Sequence, residues 1–363
     1  MKKLILLSFL WIGFSAVCQE EDLTPEEIQY RDSIANLNET NAAIQKSQEA
    51  YNSGIALFKE KKYSGAISKF SESISADPNF TPAYYNKAIA ENKATKYQEA
   101  RKTLDILTQK KPNYDKAYFQ RGIAYQGLNN YLKSEQDFQK SIELNPKNPK
   151  AYYNFGTLKF LQKDYESAIV QFTKTIELDS ENAYAYNDRG SCYRMLGKYP
   201  QAIKDYESAS FKNGNLAFVL NNIGSTKTKM GQYAEALKAF NRAISIDPNF
   251  FLAYNNRGVT QLKQGRTNDA LKDFTKCIEI NPNYAPAFSN RSGAKFKNKN
   301  YKGAVKDAAK AIELDPNLAD AYVNSGMAKE MLRDMNGACE DWHKARELGS
   351  EIGKNYQSSN CSN

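Results

Sequence analysis

Histidine is almost absent from this chain: His343 is the only one among 363 residues. This scarcity argues against catalytic or metal sites built from imidazole groups. The sequence also lacks a glycine-rich phosphate loop, a nucleophile elbow and the ligand spacing of zinc sites. We expect His343, which follows Trp342, to be a surface or capping residue. We therefore predict that the protein is not an enzyme and uses no cofactor, metal or small-molecule substrate.

Long apolar runs are also missing beyond the N-terminus, so we predict no transmembrane segment. The N-terminus reads MKKLILLSFLWIGFSAVCQEED, with a basic start, a short apolar stretch over residues 4–14 and small residues before Gln19. This pattern predicts a secretory signal peptide, residues 1–18, cleaved near Cys18. The protein is then periplasmic or secreted. The alternative is a lipoprotein acylated at Cys18, although Val17 directly before it does not match the usual lipoprotein signal.

Blocks of one charge sign are absent as well. The chain has 50 lysines and arginines against 41 aspartates and glutamates, a formal net charge of +9. Loss of Lys2 and Lys3 with the signal peptide would lower this charge to +7. Scattered lysines on helix surfaces usually form a solvated face, so we expect no nucleic-acid partner.

What the chain does have is repetition at an interval of 34 residues. Prolines mark this interval, except at two steps where Ser180 and Gly214 take the same place: Pro78, Pro112, Pro146, Pro248, Pro282 and Pro316. Such an interval predicts a stacked array of structural repeats and not one globular core. Nine repeats, numbered one to nine, follow without insertion: residues 47–80, 81–114, 115–148, 149–182, 183–216, 217–250, 251–284, 285–318 and 319–352. A polar helical cap is expected over residues 19–46 and a short tail over residues 353–363.

Each repeat fits two short helices, helix A over positions 1–14 and helix B over positions 18–30. Position 8 is glycine in seven repeats and position 20 is alanine in eight, because only small residues fit where two helices cross closely. Position 24 is aromatic in seven repeats and is expected to fill the space beside that contact. Proline at position 32 cannot continue a helix and ends helix B.

With small residues at positions 8, 20 and 27, an aromatic residue at 24 and proline at 32, this pattern resembles the tetratricopeptide repeat. The resemblance covers residues 47–352. It implies an all-α fold, a right-handed superhelical α-solenoid of helix-turn-helix repeats whose A helices line a concave surface. The function it implies is the binding of a protein or peptide partner along that surface.

The side chains expected on the concave surface lie at positions 2, 5, 9, 12 and 13 of helix A. Aromatic rings offer apolar area and amides donate to and accept from a peptide backbone, so this set suits a bound peptide. Part of the pattern belongs to the scaffold, because asparagine at position 6 is common in tetratricopeptide repeats. No repeat has lysine at position 5, so a carboxylate clamp of the kind that captures chaperone C-termini is not supported. The predicted groove residues are Tyr51, Phe58, Tyr85, Phe119, Tyr153, Phe160, Tyr184, Asn187, Phe218, Asn221 and Asn255.

Together, the signal peptide and the array predict a non-catalytic protein- or peptide-binding scaffold of the bacterial cell envelope. One alternative is an assembly or structural factor associated with the outer membrane and anchored through a lipid on Cys18. Another alternative is the regulatory subunit of an envelope enzyme, although no catalytic module is attached to the array.

Export also changes how the cysteines are interpreted. Cys192 and Cys277 occupy small core positions in different repeats, and we expect no bond between them. Cys339 and Cys361 are the candidate disulfide, which would tie the tail to the last helix, and two free thiols are the alternative. A closed loop of that length would contribute about 3 kcal/mol to stability.

Two repeats depart from the pattern in helix B. The second has Leu104 in place of the aromatic residue and Thr108 at position 28, where most repeats have isoleucine. The fifth has Ser210 at position 28 and Gly214 in place of proline. We predict that these two repeats have the weakest helix B packing and open first.

The two ends carry helix signals. The sequence TPEE at residues 24–27 is typical of a capping box and predicts a helix over about residues 25–45. Its apolar residues are sparse, so we expect it to pack only partly on the first repeat. In the tail, Ile352 and Tyr356 lie four residues apart and are expected to cover the last exposed helix face.

Overall fold

The computed structural model describes residues 24–361. The predicted signal peptide, Cys18 and the last two residues lie outside this range. Over the described residues the regular structure is entirely α-helical, with no strand. No helix within residues 24–361 contains an apolar stretch of the length needed to span a lipid bilayer. The helices in chain order are α1 (Pro25–Lys59), α2 (Tyr63–Ala76), α3 (Thr81–Lys93), α4 (Tyr97–Lys110), α5 (Asp115–Gly127), α6 (Tyr131–Leu144), α7 (Pro149–Leu161), α8 (Tyr165–Leu178), α9 (Ala183–Met195), α10 (Tyr199–Lys212), α11 (Ala217–Lys229), α12 (Tyr233–Ile246), α13 (Phe251–Lys263), α14 (Thr267–Ile280), α15 (Ala285–Lys297), α16 (Tyr301–Leu314), α17 (Ala319–Met331), α18 (Met335–Glu347) and α19 (Glu351–Asn360).

The helices belong to two compact units. The N-terminal unit ends at Pro112 and the C-terminal unit begins at Asn113. Within each unit, helices A and B of one repeat pack together as a hairpin, and consecutive hairpins pack on one another. The predicted all-α solenoid of helix-turn-helix repeats is therefore confirmed.

The turn between helices A and B has the same backbone conformation in all nine repeats. Its residue at position 15 has a positive φ, between 56° and 76°. Glycine adopts this left-handed conformation without strain and ends a helix readily. It occupies position 15 in three repeats, as Gly197, Gly231 and Gly265. Helix B then begins at position 17, one residue earlier than predicted, with tyrosine in seven of nine repeats.

The core of most hairpins is the contact between positions 8 and 24. In the seventh repeat, a Cβ atom added to Gly258 would lie 2.7 Å from Cε1 of the buried Phe274. A methyl group does not fit at that distance, which is the physical reason for glycine at position 8. The two repeats with a larger residue at position 8 have a smaller one at position 24. These exceptions are Ala88 with Leu104 and Ser292 with Ala308.

The N-terminal end differs from the prediction. The capping box at Thr24 and Glu27 is present, but α1 then runs without a break through helix A of the first repeat. The predicted end of a separate cap helix near residue 45 is therefore wrong. No proline or glycine interrupts residues 26–53, so nothing in this stretch stops the helix. Ile28, Ile34, Leu37 and Ile44 remain exposed, whereas Ser47 and Ala50 are buried.

The tail forms a helix of its own, α19. Its Tyr356 ring stacks on Trp342, with ring centroids 5.0 Å apart, while Ile352 stays half-exposed. Tyr356 thus covers the last hairpin as expected, and Ile352 does not. A disulfide joins Cys339 to Cys361, whose Cα atoms lie 5.8 Å apart, and this bond fastens the end of α19 to α18.

Candidate functional site

The predicted aromatic residues at position 5 lie partly inside their own hairpins. In the N-terminal unit, the half-buried Tyr51 ring lies 5.7 Å from Phe70 and 5.1 Å from Phe80. Its hydroxyl accepts a hydrogen bond from Asn86 Nδ2 at 2.8 Å. Tyr85, in the same unit, is also half-buried. These rings are thus engaged with the scaffold on at least one side.

The same holds for position 5 in the C-terminal unit. The Phe119 ring lies 6.1 Å from Phe138, and the Tyr153 ring lies 5.7 Å from Phe172. The Tyr153 hydroxyl donates a hydrogen bond to Asp188 Oδ2 at 2.6 Å. Burial, together with the nearby Asp188 carboxylate, raises the pKa of Tyr153 well above its ordinary value. These aromatic rings pack against the position-24 rings that form the hairpin core.

The predicted groove residues at position 12 support the start of helix B. Phe58 lies 5.5 Å from Tyr63, and Phe160 lies 5.4 Å from Tyr165, measured between ring centroids. In each pair the tyrosine occupies position 17 of the same repeat. Phe296 and Tyr301 repeat the contact in the eighth repeat, and it gives these phenylalanines a structural role.

The asparagines at position 5 form a ladder that joins successive hairpins. Asn187, Asn221 and Asn255 are buried, and each Oδ1 accepts a hydrogen bond from the position-6 asparagine of the next repeat. The donors are Asn222, Asn256 and Asn290, at 2.9–3.0 Å. The ladder satisfies buried amides that would otherwise be costly to desolvate. The predicted contact of these position-5 asparagines with a peptide stays a prediction, since their carbonyl oxygens already have partners.

Two predicted residues at position 2 do face solvent. Tyr184 is 51% exposed, and its ring stacks on the half-buried Phe218 ring of the next repeat, with centroids 6.0 Å apart and planes 21° apart. Stacked, solvent-accessible aromatic rings on neighbouring A helices offer a rigid apolar surface. Leu252 continues position 2 into the seventh repeat.

Position 2 belongs to a helical stripe with positions 6, 9 and 13, because steps of four, three and four residues return to the same helix face. Across repeats six to eight, position 9 is small or apolar: Ser225, Val259 and Gly293. Position 13 is lysine in all three: Lys229, Lys263 and Lys297. We call the surface made by this stripe in repeats five to eight the helix A groove.

The three lysines of the helix A groove are exposed. Over residues 24–361, none of their ammonium groups has a carboxylate within 4.0 Å. The groove residues predicted from sequence do not include this row, because the prediction considered lysine only at position 5. The sequence nevertheless carries the signal, since lysine stands at position 13 in three consecutive repeats.

A cleft of about 290 Å³ opens in this groove between the sixth and seventh hairpins. Its walls combine two ammonium groups, an amide, hydroxyl groups and part of the Phe240 ring. Such a lining can hold an extended chain that carries both an acidic and an apolar side chain. The lining residues are Ser225, Thr228, Lys229, Phe240, Asn256, Val259 and Lys263.

The described residues contain potential metal ligands and free cysteine thiols. No cluster of three or more potential metal ligands occurs over residues 24–361. Cys192 and Cys277 are buried free thiols, and burial raises the pKa of each to about 12. Thiols with such pKa values are protonated at neutral pH and are poor nucleophiles.

Models of the tetratricopeptide repeat family match most of the array, at residues 57–124, 115–148, 138–170, 172–204 and 251–284. A further model, described as TPR repeat, matches residues 224–265. No curated protein matches the chain.

Solved structures share the fold. A tetratricopeptide repeat protein from Parabacteroides merdae is 18% identical over 67% of this chain and 97% of its own, with a TM-score of 0.57. A chain of the Cut9–Hcn1 APC/C hetero-tetramer is 16% identical over 77% of this chain and 54% of its own, with a TM-score of 0.55. PilW, a type IV pilus biogenesis factor, is 20% identical over 57% of this chain and 97% of its own, with a TM-score of 0.52. At these identities the likeness concerns the fold alone.

Proposed function

The chain belongs to the tetratricopeptide repeat family, and we propose that it is a non-catalytic scaffold that binds a protein or peptide partner in the helix A groove. The fold itself suggests protein or peptide binding. The observation that carries the choice of surface is the exposed Tyr184–Phe218 stack beside a row of unpaired lysines. The Phe218 ring also packs against the core of the fifth and sixth hairpins, whereas Tyr184 is 51% exposed and the lysines are exposed.

The chemistry of the groove selects the class of partner. Lys229, Lys263 and Lys297 repeat at one residue per hairpin, so a chain lying across the hairpins meets one positive charge at each step. An extended peptide with several acidic side chains fits this row, and an aromatic or aliphatic anchor fits the Tyr184–Phe218 stack. The proposed partner is therefore an acidic segment with an apolar anchor at one end.

We place this activity in the cell envelope. The support is the N-terminal sequence, with Lys2 and Lys3 before an apolar stretch and small residues before Gln19. A disulfide between Cys339 and Cys361 agrees with an oxidising compartment. Association with the outer membrane through a lipid on Cys18 remains the alternative proposal. The mass of the N-terminal peptide from the native protein distinguishes a chain beginning at Gln19 from one beginning at an acylated Cys18.

Binding can be tested without knowing the natural partner. A random peptide library displayed on phage is selected against the purified protein, and the enriched peptides are expected to be acidic with an aromatic or aliphatic anchor. Reversing the charge of the three groove lysines (Lys229→Glu, Lys263→Glu, Lys297→Glu) should weaken binding of the enriched peptides by about tenfold or more. A tenfold change corresponds to about 1.4 kcal/mol. Tyr184→Ala with Phe218→Ala should weaken it to a similar degree.

A matched control reverses three exposed lysines at position 22 of helix B: Lys204→Glu, Lys272→Glu and Lys306→Glu. This variant has the same change in net charge, so it separates local contacts from general attraction. Equal losses in both triple variants would show that the peptides are held by the overall charge and not by the helix A groove.

A further inference from the structure

The junction between repeats five and six departs from the array at four neighbouring places. Position 28 is isoleucine in six repeats but Ser210 in the fifth. In the sixth repeat, Leu220 replaces the aromatic residue that seven other repeats have at position 4. Ile223 replaces the arginine that four repeats have at position 7, and Ala239 replaces the aspartate that five repeats have at position 23. Each change removes bulk or charge from the same surface.

The four changes leave a pit of about 560 Å³ among α10, α11 and α12. Leu220, Ile223 and Ala239 are buried and form its apolar floor. The junction of repeats seven and eight shows how this space is filled elsewhere. There Ile278 packs in one cluster with Phe288, and Arg291 lies over the Phe288 ring at 5.6 Å. At the junction of repeats six and seven, the corresponding positions line a smaller cavity of about 290 Å³, and its lining includes the ion pair of Arg257 and Asp273. The larger volume and the apolar floor are therefore features of the junction of repeats five and six.

Phe211 stands at the edge of the pit and is 86% exposed. It occupies position 29, where no other repeat has an apolar residue. The others have Ser75, Gln109, Glu143, Glu177, Ser245, Glu279, Glu313 and Glu347. A largely exposed phenylalanine beside an apolar floor places a protruding group and a receiving pit on the same surface.

Charges of both signs surround the pit. They are the carboxylates of Glu207 and Glu235 and the cations of Lys227, Lys238 and Arg242. Over residues 24–361, none of these five groups lies within 4.0 Å of an opposite charge. A partner that matches this rim must itself carry both signs around an apolar anchor.

We propose that the partner is a second copy of this chain, related by a two-fold axis, with Phe211 of each copy inserted into the pit of the other. A two-fold contact uses the same patch on both copies, so it requires a surface that is complementary to itself. This patch has a protruding ring, a receiving pit and both charge signs, which together meet that requirement. The ring gains apolar burial, and the rim acids face the rim bases of the other copy.

The dimer would leave the helix A groove free. The pit uses positions 4, 7 and 11 of helix A and part of helix B, whereas the groove uses positions 2, 6, 9 and 13. The two proposals therefore stand independently. A dimer of this kind would present two helix A grooves to a partner, which strengthens binding to repeated or paired ligands.

The test is the oligomeric state of the purified protein, measured by sedimentation velocity over a range of concentrations. The wild type is expected to dimerise. Phe211→Glu installs the residue that five other repeats carry at position 29, and Ser210→Ile fills the pit with the residue that six repeats carry at position 28. Each substitution should raise the dimer dissociation constant by at least about tenfold. Circular dichroism checks that both variants keep their helices.

Mixing the two variants tests the geometry. Phe211→Glu keeps the pit without the ring, and Ser210→Ile keeps the ring without the pit. A mixture should form heterodimers through one intact contact, more tightly than either variant alone and less tightly than the wild type. Val170→Glu, at a site that is 63% exposed on helix B of the fourth repeat, is the control and should change nothing.

Three outcomes would overturn the proposal. One is a wild type that stays monomeric at every soluble concentration, whether the pit then binds a different protein or a segment of its own chain. Another is a dimer that survives both substitutions. The third is a mixture that associates no better than its components.

Discussion

The sixth and seventh hairpins share the inner layer of packing, made by positions 8 and 24, and differ in the outer layer, made by positions 7 and 23. Inside, Gly224 meets Phe240 as closely as Gly258 meets Phe274, with an added Cβ 2.6 Å and 2.7 Å from the ring. Outside, the seventh hairpin has a bidentate ion pair between an arginine and an aspartate, and the sixth has isoleucine and alanine at those positions. The inner contact sets the register of the array, so the outer layer is free to vary at one junction.

The largest effects are expected where the two hairpins agree. Phe274→Ala removes a fully buried ring that touches the opposite helix and should cost about 3–5 kcal/mol of local stability. Phe240→Ala should cost the same, because the inner layers match. Native-state hydrogen exchange resolves each hairpin and gives both values. A much smaller loss of local stability for Phe240→Ala would contradict the comparison, since it would show that the inner layer of the sixth hairpin is also weakly packed.

The next effect is expected in the outer layer. Asp273 accepts hydrogen bonds from Arg257 Nε at 2.7 Å and Nη2 at 2.6 Å, and it is buried. Asp273→Ala leaves the guanidinium without this partner and should cost about 1–3 kcal/mol. Ala239→Asp, at the same position of the sixth hairpin, should also destabilise, because Ile223 stands where four repeats have arginine. The buried carboxylate is then left with Lys227 alone, at the position whose lysine pairs with this aspartate in repeats eight and nine.

The double variant Ile223→Arg with Ala239→Asp rebuilds the pair in the sixth hairpin. It should recover most of the loss caused by Ala239→Asp alone, and a double-mutant cycle from chemical denaturation measures the coupling. Additive losses would mean that the sixth hairpin cannot accept the outer layer of the seventh.

The repeat phase could be predicted from sequence because its two key positions constrain each other sterically. Gly258 and Phe274 must change together, and the pairs Ala88 with Leu104 and Ser292 with Ala308 show that they do. Helix continuity at the N-terminus could not be predicted from the repeat phase. The repeat phase predicts a new helix at Ser47, whereas the helix of the first repeat is already capped at Thr24.

The candidate site was predicted less well than the fold. Position 5 lies beside position 8 and position 9 on a helix, between the core and the groove, so spacing alone does not say which way its side chain faces. In the structure Tyr153 contacts the core ring Phe172, and the buried Asn187 bonds to Asn222 of the next hairpin. Only Tyr184 and Phe218 of the predicted set form an exposed pair.

A smaller effect should follow from filling the pit. Ser210→Ile adds apolar volume beside Leu220 and Ile223 and should stabilise this junction by about 0.5–2 kcal/mol, as cavity-filling substitutions do. In the wild type, amides of α10 are expected to exchange faster than those of α14, in line with the predicted weak packing of the fifth repeat. The substitution should slow exchange in α10. Slower amide exchange in α10 than in α14 of the wild type would contradict the prediction.

The smallest effect concerns the one aspartate in the ladder. Asp188 occupies position 6, where the next four repeats have asparagine. Burial raises its pKa, although hydrogen bonds from Tyr153 and Asn187 partly oppose the rise. The folded state therefore binds a proton on Asp188 more tightly than the unfolded state does. This contribution to stability is complete below the ordinary aspartate pKa and is lost as the pH rises through the raised one.

Asp188→Asn should consequently stabilise the protein at neutral pH by about 0.5 kcal/mol, the low end for substitutions toward a consensus. The amide can keep both contacts: in the N-terminal unit Asn86 Nδ2 donates to the Tyr51 hydroxyl, and in the seventh repeat Asn256 Oδ1 accepts from Asn255. The gain over wild type should shrink as the pH falls and vanish below about pH 4. Thermal unfolding of both proteins across this pH range measures the difference. A gain that is independent of pH would show that the fifth hairpin tolerates the Asp188 charge as well as its neighbours tolerate an amide.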